Sequence, residues 1–368
     1  MTRPESGRPL DILEGVPLAP LCTLGVGGAA RHYVVAHDDA HAAAAVAWAR
    51  ERALPLLLLG GGSNVVVADE GHPGLVLHLD LRGVSGVEDG GTVLVTAAAG
   101  EEWDPLVARC VAQGWAGLEC LSGIPGRVGA TPIQNVGAYG QDVSETVERV
   151  DGLELATGAS VSLPGAECGF AYRDSRFKRA DAGRFLVTSV SFRLRPGGAP
   201  AVRYAELERA LRESGTSAPA LAEVRDTVIA LRRRKSMVLE PGDENRHSVG
   251  SFFMNPTVSP DDAERIRARV RAGDVDGMPA FPAGDGRVKL SAAWLIERAG
   301  LTRGYGKGAV GLSTRHTLAI VNRGGATARQ VVEFARMVRD RVRDRFHVAL
   351  RPEPVFVNLD FDGGPPSD

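Results

Sequence analysis

Two glycine-dense runs and four isolated polar side chains carry most of the chemistry this chain is able to do. The longer run is Gly117 to Gly140, GLECLSGIPGRVGATPIQNVGAYG, where six glycine positions (Gly117, Gly123, Gly126, Gly129, Gly137 and Gly140) are interleaved with Arg127, Gln134, Asn135 and Tyr139. Such a stretch cannot be a helix or strand interior, because glycine loses too much backbone entropy there. It reads as a long ordered loop with a bare backbone, and closely approaching amides suit a diphosphate or another flat polar ligand. An Ω-loop of tight turns is the plainer alternative, but Gln-Asn and a Tyr inside the run look placed for contact. The shorter run is Gly60, Gly61, Gly62, Ser63 and Asn64, set between LLLL and VVV. A mononucleotide loop would open a helix, whereas Val65 to Val67 demands a strand. The run is therefore a bend between strands, and its free amides form a nest for phosphate oxygens.

The isolated side chains are more ambiguous on local grounds. FAYRDSRFK, Phe170 to Lys178, is either a surface turn with an ion pair or a rigid mount for an Arg that meets a carboxylate. Arg232, Arg233, Arg234 and Lys235 close a helix, where cations complement the dipole and where four together could also hold a diphosphate. Ser251 lies between a glycine and two phenylalanines, so its hydroxyl needs a partner. Glu353 sits between two prolines in LRPEPVFV, an edge or end position from which it could face a cleft.

The elements that must position these groups follow from periodicity and caps. Thr23 to Ala30, TLGVGGAA, formally fits a dinucleotide fingerprint, but prolines precede it and RHYVV follows as a strand, so a Rossmann unit is rejected. Asp38 or Asp39 caps an Ala-rich helix through Ala53. Asp104 and Pro105 read as the N-cap and first turn of a helix ending at Gly114. Strands are expected at Leu75 to Leu79, Val93 to Ala97, Val147 to Leu155, Leu186 to Leu194, Leu318 to Val321 and Leu350 to Val357. Leu221, Val224, Val228 and Leu231 form the buried stripe of a helix. Further helices are expected from Ser259 through Ala272, from Ser291 to Ala299, and from Thr327, with Gln330 as a capping box, to Phe346. Glu240 to Ser248 is a polar insertion, and Asp360 to Asp368 reads as a disordered tail.

At 368 residues the chain exceeds one typical core, so two or three domains are expected. A formal charge of −2 gives no pull toward nucleic acid or an anionic membrane. Cys22, Cys110, Cys120 and Cys168 show no metal-ligand spacing and suit a reducing cytoplasm. No apolar run reaches the roughly 18 residues of a membrane span, and the first residues lack the apolar core of a signal peptide.

Taken in order, LLGGGSNVVVAD, GIPGRVGATPIQNVGAYG, FAYRDSRFK, GSFFMNP, KLSAAWLIERAGL and HTLAIVN resemble the UDP-N-acetylenolpyruvoylglucosamine reductase family of bacterial peptidoglycan synthesis. The resemblance runs from about Leu18 to Val357. It implies an α+β fold, with an FAD-binding domain of the vanillyl-alcohol-oxidase type in two lobes and a smaller α+β substrate domain. The implied boundaries are 1–81, with the C-terminal strand 347–368, for the first lobe, 82–235 for the second and 236–346 for the substrate domain. FAD and NADPH are the implied cofactors, and the enolpyruvyl ether of UDP-N-acetylglucosamine, reduced to the lactyl ether of UDP-N-acetylmuramate, is the implied substrate. A cytoplasmic monomer is expected, with no metal.

The same resemblance assigns residues. Gly60, Gly61, Gly62, Ser63 and Asn64 would cradle the FAD diphosphate. Ile124, Gly126, Gly129, Thr131, Gln134, Asn135 and Gly137 would line the flavin, with Tyr139 nearby. Tyr204, Arg232, Lys235 and Asn255 would bind substrate. Arg173 would meet the substrate carboxylate, with Glu353 beside it, and Ser251 would donate the final proton. Cys22 stands where the family usually has Asn, and Pro352-Glu353-Pro354-Val355 replaces the usual Pro-Glu-Val-Arg. Two other classes remain to be distinguished: a flavin oxidase acting on a small alcohol or sugar, and a catalytically silent nucleotide-binding protein.

Overall fold

The computed structural model describes residues 9–270 and 277–362. The chain divides into two compact units, one made of Met1–Val16, Ala29–Gly62 and His72–Leu239, the other of Pro17–Gly28, Ser63–Gly71 and Glu240–Asp368.

The two main sheets of the first unit organise it. In the smaller, Leu13–Pro17, Ala29–Ala36, His72–Leu79 and Leu56–Leu59 lie in that order, and the last three strands run parallel. Parallel neighbours need a crossover, which the helix Asp39–Glu51 supplies. Asp38 caps it by accepting from the His41 amide at 2.7 Å. The helix buries Ala42, Ala45, Val46 and Ala49 on one face of the sheet, against Val34, Leu75 and Leu77. The larger sheet is antiparallel, in the order Ser160–Pro164, Val147–Glu154, Phe185–Pro196, Thr92–Ala98, Val84–Asp89. The helix Trp103–Ala112 packs Trp103, Leu106, Val107 and Cys110 into the same core.

That helix starts two residues earlier than the sequence expectation. Glu102 is the N-cap residue, and Asp104 lies inside the first turn. Asp104 instead forms a two-pronged pair with Arg225, at 2.7 and 2.8 Å, and accepts the Gly123 amide at 2.6 Å. It therefore ties the helix Leu221–Arg234, the helix Trp103–Ala112 and the glycine-rich loop together. The stripe Leu221, Val224, Val228 and Leu231 is buried as expected.

In the second unit, Val65–Val67 pairs in parallel with Val355–Val357. Its neighbour across the Gly60–Asn64 bend, Leu56–Leu59, pairs with His72–Leu79 instead, so the bend is no hairpin. Three strands, Thr257–Val258, Val288–Leu290 and Ala280–Pro282, form a small antiparallel sheet, and Val310–Leu312 pairs with Ile320–Asn322. The helix Ala328–Phe346 carries the expected Thr327/Gln330 capping box and buries a stripe from Val331 to Phe346. The helix Pro260–Ala268 is capped by Ser259; its expected continuation to Ala272 runs into residues 271–276, outside the described residues, as do the last six residues of the expected tail. Phe361, by contrast, is buried, with its ring 5.4 Å from that of Phe356. The strand at the C-terminus is shorter than expected: Glu353 precedes it.

Among the described residues no helix is long and apolar enough to cross a membrane, and no group of His, Cys, Asp or Glu is placed to hold a metal ion. All four cysteines are buried thiols. Burial pushes Cys22 to about 11 and Cys110 to about 12, so both stay protonated and inert.

Candidate active site

Within the first unit the two glycine runs meet. A Cβ on Gly61 would lie 3.0 Å from the Gly126 Cα, and one on Gly60 would lie 3.5 Å from the Arg127 Cβ. Gly62 and Gly126 both have positive φ, +60° and +120°. The amides of Gly61 and Gly126 meet no acceptor among the described residues. Partly buried orphan amides side by side are what an anionic ligand satisfies. A cofactor diphosphate fits this cradle, and a backbone with side chains here would not.

The rest of the long loop is more tightly bound to the protein than its composition suggests. It contains short 3₁₀ turns at Glu119–Leu121 and Val128–Ala130, a one-turn helix Thr131–Gln134, and a two-residue pairing of Gly137–Ala138 with Gln141–Asp142. Ile124 is partly buried against the core. Gly129 is required because a Cβ would sit 2.6 Å from that of Ala99. Thr131 is buried and its hydroxyl donates to the Val128 carbonyl at 2.8 Å. Asn135 adopts a left-handed φ of 45° and braces the loop, donating to the Ala171 carbonyl at 2.8 Å and accepting the Ser144 amide at 3.2 Å. Gln134 accepts from Lys178 at 2.9 Å. A closely placed ligand would therefore meet this loop mainly through backbone.

Arg173 is mounted on the same loop. Its φ of 54° is rare for a residue with a side chain. Its Nη2 donates to the Gly137 carbonyl at 2.5 Å, and Asp142 Oδ1 stands 3.7 Å from Nη1. A Cβ on Gly137 would fall 1.5 Å from that Asp142 oxygen and 2.9 Å from the guanidinium. Glycine at this position is thus a condition for placing Arg173.

Beside it a second cluster forms. The Tyr139 and Tyr204 rings meet edge to face at 5.6 Å. Lys235 reaches over the Tyr139 ring at 5.7 Å while paired with Glu206 at 2.6 Å. Arg232 donates to the Met237 carbonyl at 2.6 Å, and its shielded Nε has no partner. Burial pulls this guanidinium down to about 10, against the pull of Tyr139 and Asp104, and Arg173 adds a second cation nearby. Tyr204, Arg232 and Lys235 are therefore neighbours, as a diphosphate-binding group requires.

Ser251, Glu353, Ser63, Asn64 and Asn255 belong to the second unit. The GSFFMNP segment pairs antiparallel with the approach to the last strand: the Glu353 amide donates to the Phe252 carbonyl at 2.9 Å, Phe253 bridges Pro352, and the Met254 amide donates to Arg351. This register sets Ser251 and Glu353 on facing segments one step apart. Phe252 and Phe253 are buried beneath, and Gly250 has a φ of +72°. Asn64 grips the same end: its carbonyl accepts the Val355 amide at 3.0 Å and its side chain approaches the Glu353 carbonyl at 3.4 Å. Asn255 accepts the Ala292 amide at 2.9 Å, the first amide of the helix Ala292–Arg298, which Ser291 caps. The insertion preceding Ser251 is strapped down rather than loose. Asn245, buried, exchanges hydrogen bonds with Thr314, its amide donating to the hydroxyl at 3.0 Å and its carbonyl accepting the Thr314 amide at 3.0 Å.

Residues 241–357 match the family model for the UDP-N-acetylenolpyruvoylglucosamine reductase C-terminal domain, and residues 30–161 match an FAD binding domain. The UDP-N-acetylenolpyruvoylglucosamine reductase of Thermobifida fusca is 52% identical over 349 residues, 94% of this chain and 97% of that one. The chain belongs to the UDP-N-acetylenolpyruvoylglucosamine reductase family. The family's Streptomyces coelicolor member is 48% identical over 95% of this chain and 91% of its own length. The crystal structure of UDP-N-acetylenolpyruvylglucosamine reductase from Thermus caldophilus, 24% identical, superposes with a TM-score of 0.63 over 95% of this chain and 99% of that one, so the fold is shared as well. The α+β class and the FAD-binding domain expected from the motifs stand.

Proposed function

We infer that this chain reduces the enolpyruvyl ether of UDP-N-acetylglucosamine to UDP-N-acetylmuramate, with FAD and NADPH, in peptidoglycan synthesis. Likeness over nearly the whole chain carries the reading. An FAD-binding domain alone would also serve an oxidase of small alcohols or sugars, but the reductase C-terminal domain over 241–357 does not belong to that alternative. A cytoplasmic monomer, supporting cell-wall growth, shape and division, is the setting that goes with it. The two-lobe division 1–81 with 347–368, and 82–235, with 236–346 as the substrate domain, is retained as part of the same reading.

Gly60, Gly61, Gly62, Ser63 and Asn64 would hold the FAD diphosphate, and the backbone from Ile124 through Gly137 the flavin. Bound there, FAD supplies a hydride carrier between NADPH and the methylene carbon of the enolpyruvyl group, in two half-reactions. This chain's residues do the rest. Hydride addition leaves negative charge on the neighbouring carbon and the carboxylate. Arg173, held rigid by the Gly137 carbonyl, stabilises that charge in place. Glu353 supports the carboxylate end, and Ser251 delivers the proton. A serine hydroxyl is a weak acid, sufficient here because the enolate-like carbon it protonates is strongly basic. Tyr204, Arg232, Lys235 and Asn255 hold the nucleotide. Steady-state assay tests the reading: NADPH should be consumed only when the enolpyruvyl nucleotide is present. Oxygen-coupled turnover of an alcohol or sugar without NADPH would replace it with the oxidase reading, and FAD or UDP-sugar binding without hydride transfer would leave a silent binding protein.

A further inference from the structure

One polar pair inside the first unit has no part in the chemistry above. The Tyr33 hydroxyl and His78 Nδ1 stand 2.6 Å apart. Both lie on the face of the parallel sheet turned away from the helix Asp39–Glu51: Val34, Ala36, Leu75, Leu77 and Leu79 pack with that helix, and side chains alternate across a sheet. His78 is in register with Leu59, the residue immediately before Gly60. Arg127, whose Cβ stands 3.5 Å from where a Gly60 Cβ would be, is close enough to act on the His78 charge.

The surroundings keep both groups neutral, and the pair is complete in the tautomer where the phenol donates to Nδ1. Burial holds the imidazole below its usual range and Arg127 and Arg82 press the same way, against Asp80. Burial and Asp80 hold the Tyr33 phenol above its usual range, so it keeps its proton. A neutral imidazole has one donor and one acceptor. With Nδ1 accepting from the phenol, the ring proton is on Nε2, which makes no hydrogen bond among the described residues.

We propose that His78 is a further cofactor-binding residue: its Nε2–H, fixed by the Tyr33 hydroxyl behind it, donates to an anionic oxygen of the diphosphate held at Gly60, Gly61 and Arg127. The inference rests on reading those glycines as the FAD cradle. It adds a neutral, directional donor to the charge of Arg127 and the orphan amides.

The test measures the FAD dissociation constant of apoprotein by flavin fluorescence quenching, together with the thermal midpoint of each apoprotein. His78→Ala should weaken FAD binding roughly ten- to hundred-fold, the loss of one hydrogen bond to a charged group, with the apoprotein midpoint falling no further than in Tyr33→Phe, which breaks the same pair. His78→Gln, whose amide nitrogen replaces Nε2–H, should recover most of it, and Tyr33→Phe, which frees the tautomer, should lose less than His78→Ala. Undiminished FAD affinity in His78→Ala overturns the proposal, as does a loss that tracks a lowered apoprotein midpoint and is not rescued by Gln, since that marks a brace of the sheet. Failure of the wild-type apoprotein to take up FAD at all overturns the cradle reading itself and the inference with it.

Discussion

Arg173 shows what a sequence carries at the scale of one residue and what it does not. Its motif, FAYRDSRFK, left it either a surface ion pair or a carboxylate partner, and only the family resemblance pointed to the second. Nothing local announced its left-handed backbone or its anchor on Gly137, because that carbonyl is 36 positions away in the chain. Replacing Arg173 with Met should leave FAD bound and reduction by NADPH intact, while reoxidation by the enolpyruvyl nucleotide falls by roughly 10²–10³-fold, the usual loss for one charge-stabilising group. Loss of FAD instead would assign Arg173 to the cofactor. Ser251→Ala should also spare the first half-reaction and slow the second by roughly 10²–10⁴-fold; native rates in both, followed by stopped-flow absorbance, would make Ser251 structural. His78 and Tyr33 were not legible at this scale. They are in different strands, neither in a motif, and only the parallel register brings them together.

The elements were legible where caps and periodicity speak. Asp38, Thr327 with Gln330, and the Leu221 stripe behaved as their local chemistry dictates. The glycine-rich loop was legible as ordered and glycine-dependent, but its composition overstated the ligand. Gly129 and Gly137 are dictated by Ala99, Asp142 and Arg173, which no local pattern reveals. Gly137→Ala should therefore displace Asp142 or Arg173. The expected cost is about 1–3 kcal/mol of stability, as for other overpacked sites, together with loss of the second half-reaction, and calorimetry with single-turnover kinetics measures both. Asp104 was read as a cap from its Asp-Pro pair, but tertiary partners claimed it. Burial tends to raise its pKa; the Arg225 pair and the Gly123 amide outweigh that and leave it lowered. A lowered carboxyl stabilises the fold above its unfolded pKa, roughly 4, and loses that contribution as pH falls through the folded value. Asp104→Asn should thus destabilise by about 1–3 kcal/mol at neutral pH, discounted for a half-buried pair, and the gap from wild type should close as pH drops below roughly 4. An unchanged melting curve at pH 7 would remove Asp104 from the account.

At the scale of the whole molecule, the order of motifs identified the family, yet the pairing of strands was hidden. Leu56–Leu59 and Val65–Val67 flank one five-residue bend and still join different sheets, because each is short and apolar and no turn chemistry fixes its partner. The insertion before Ser251 likewise gave no sign of the Asn245–Thr314 bonds that secure it. The central claim is that one flavin site takes hydride from NADPH and gives it to the enolpyruvyl nucleotide. Anaerobic absorbance of the purified holoprotein tests it most directly. The flavin band should bleach on adding NADPH and return, without oxygen, on adding the enolpyruvyl ether of UDP-N-acetylglucosamine. A bleached flavin that this nucleotide cannot reoxidise, or a protein that takes up no flavin, would contradict the account.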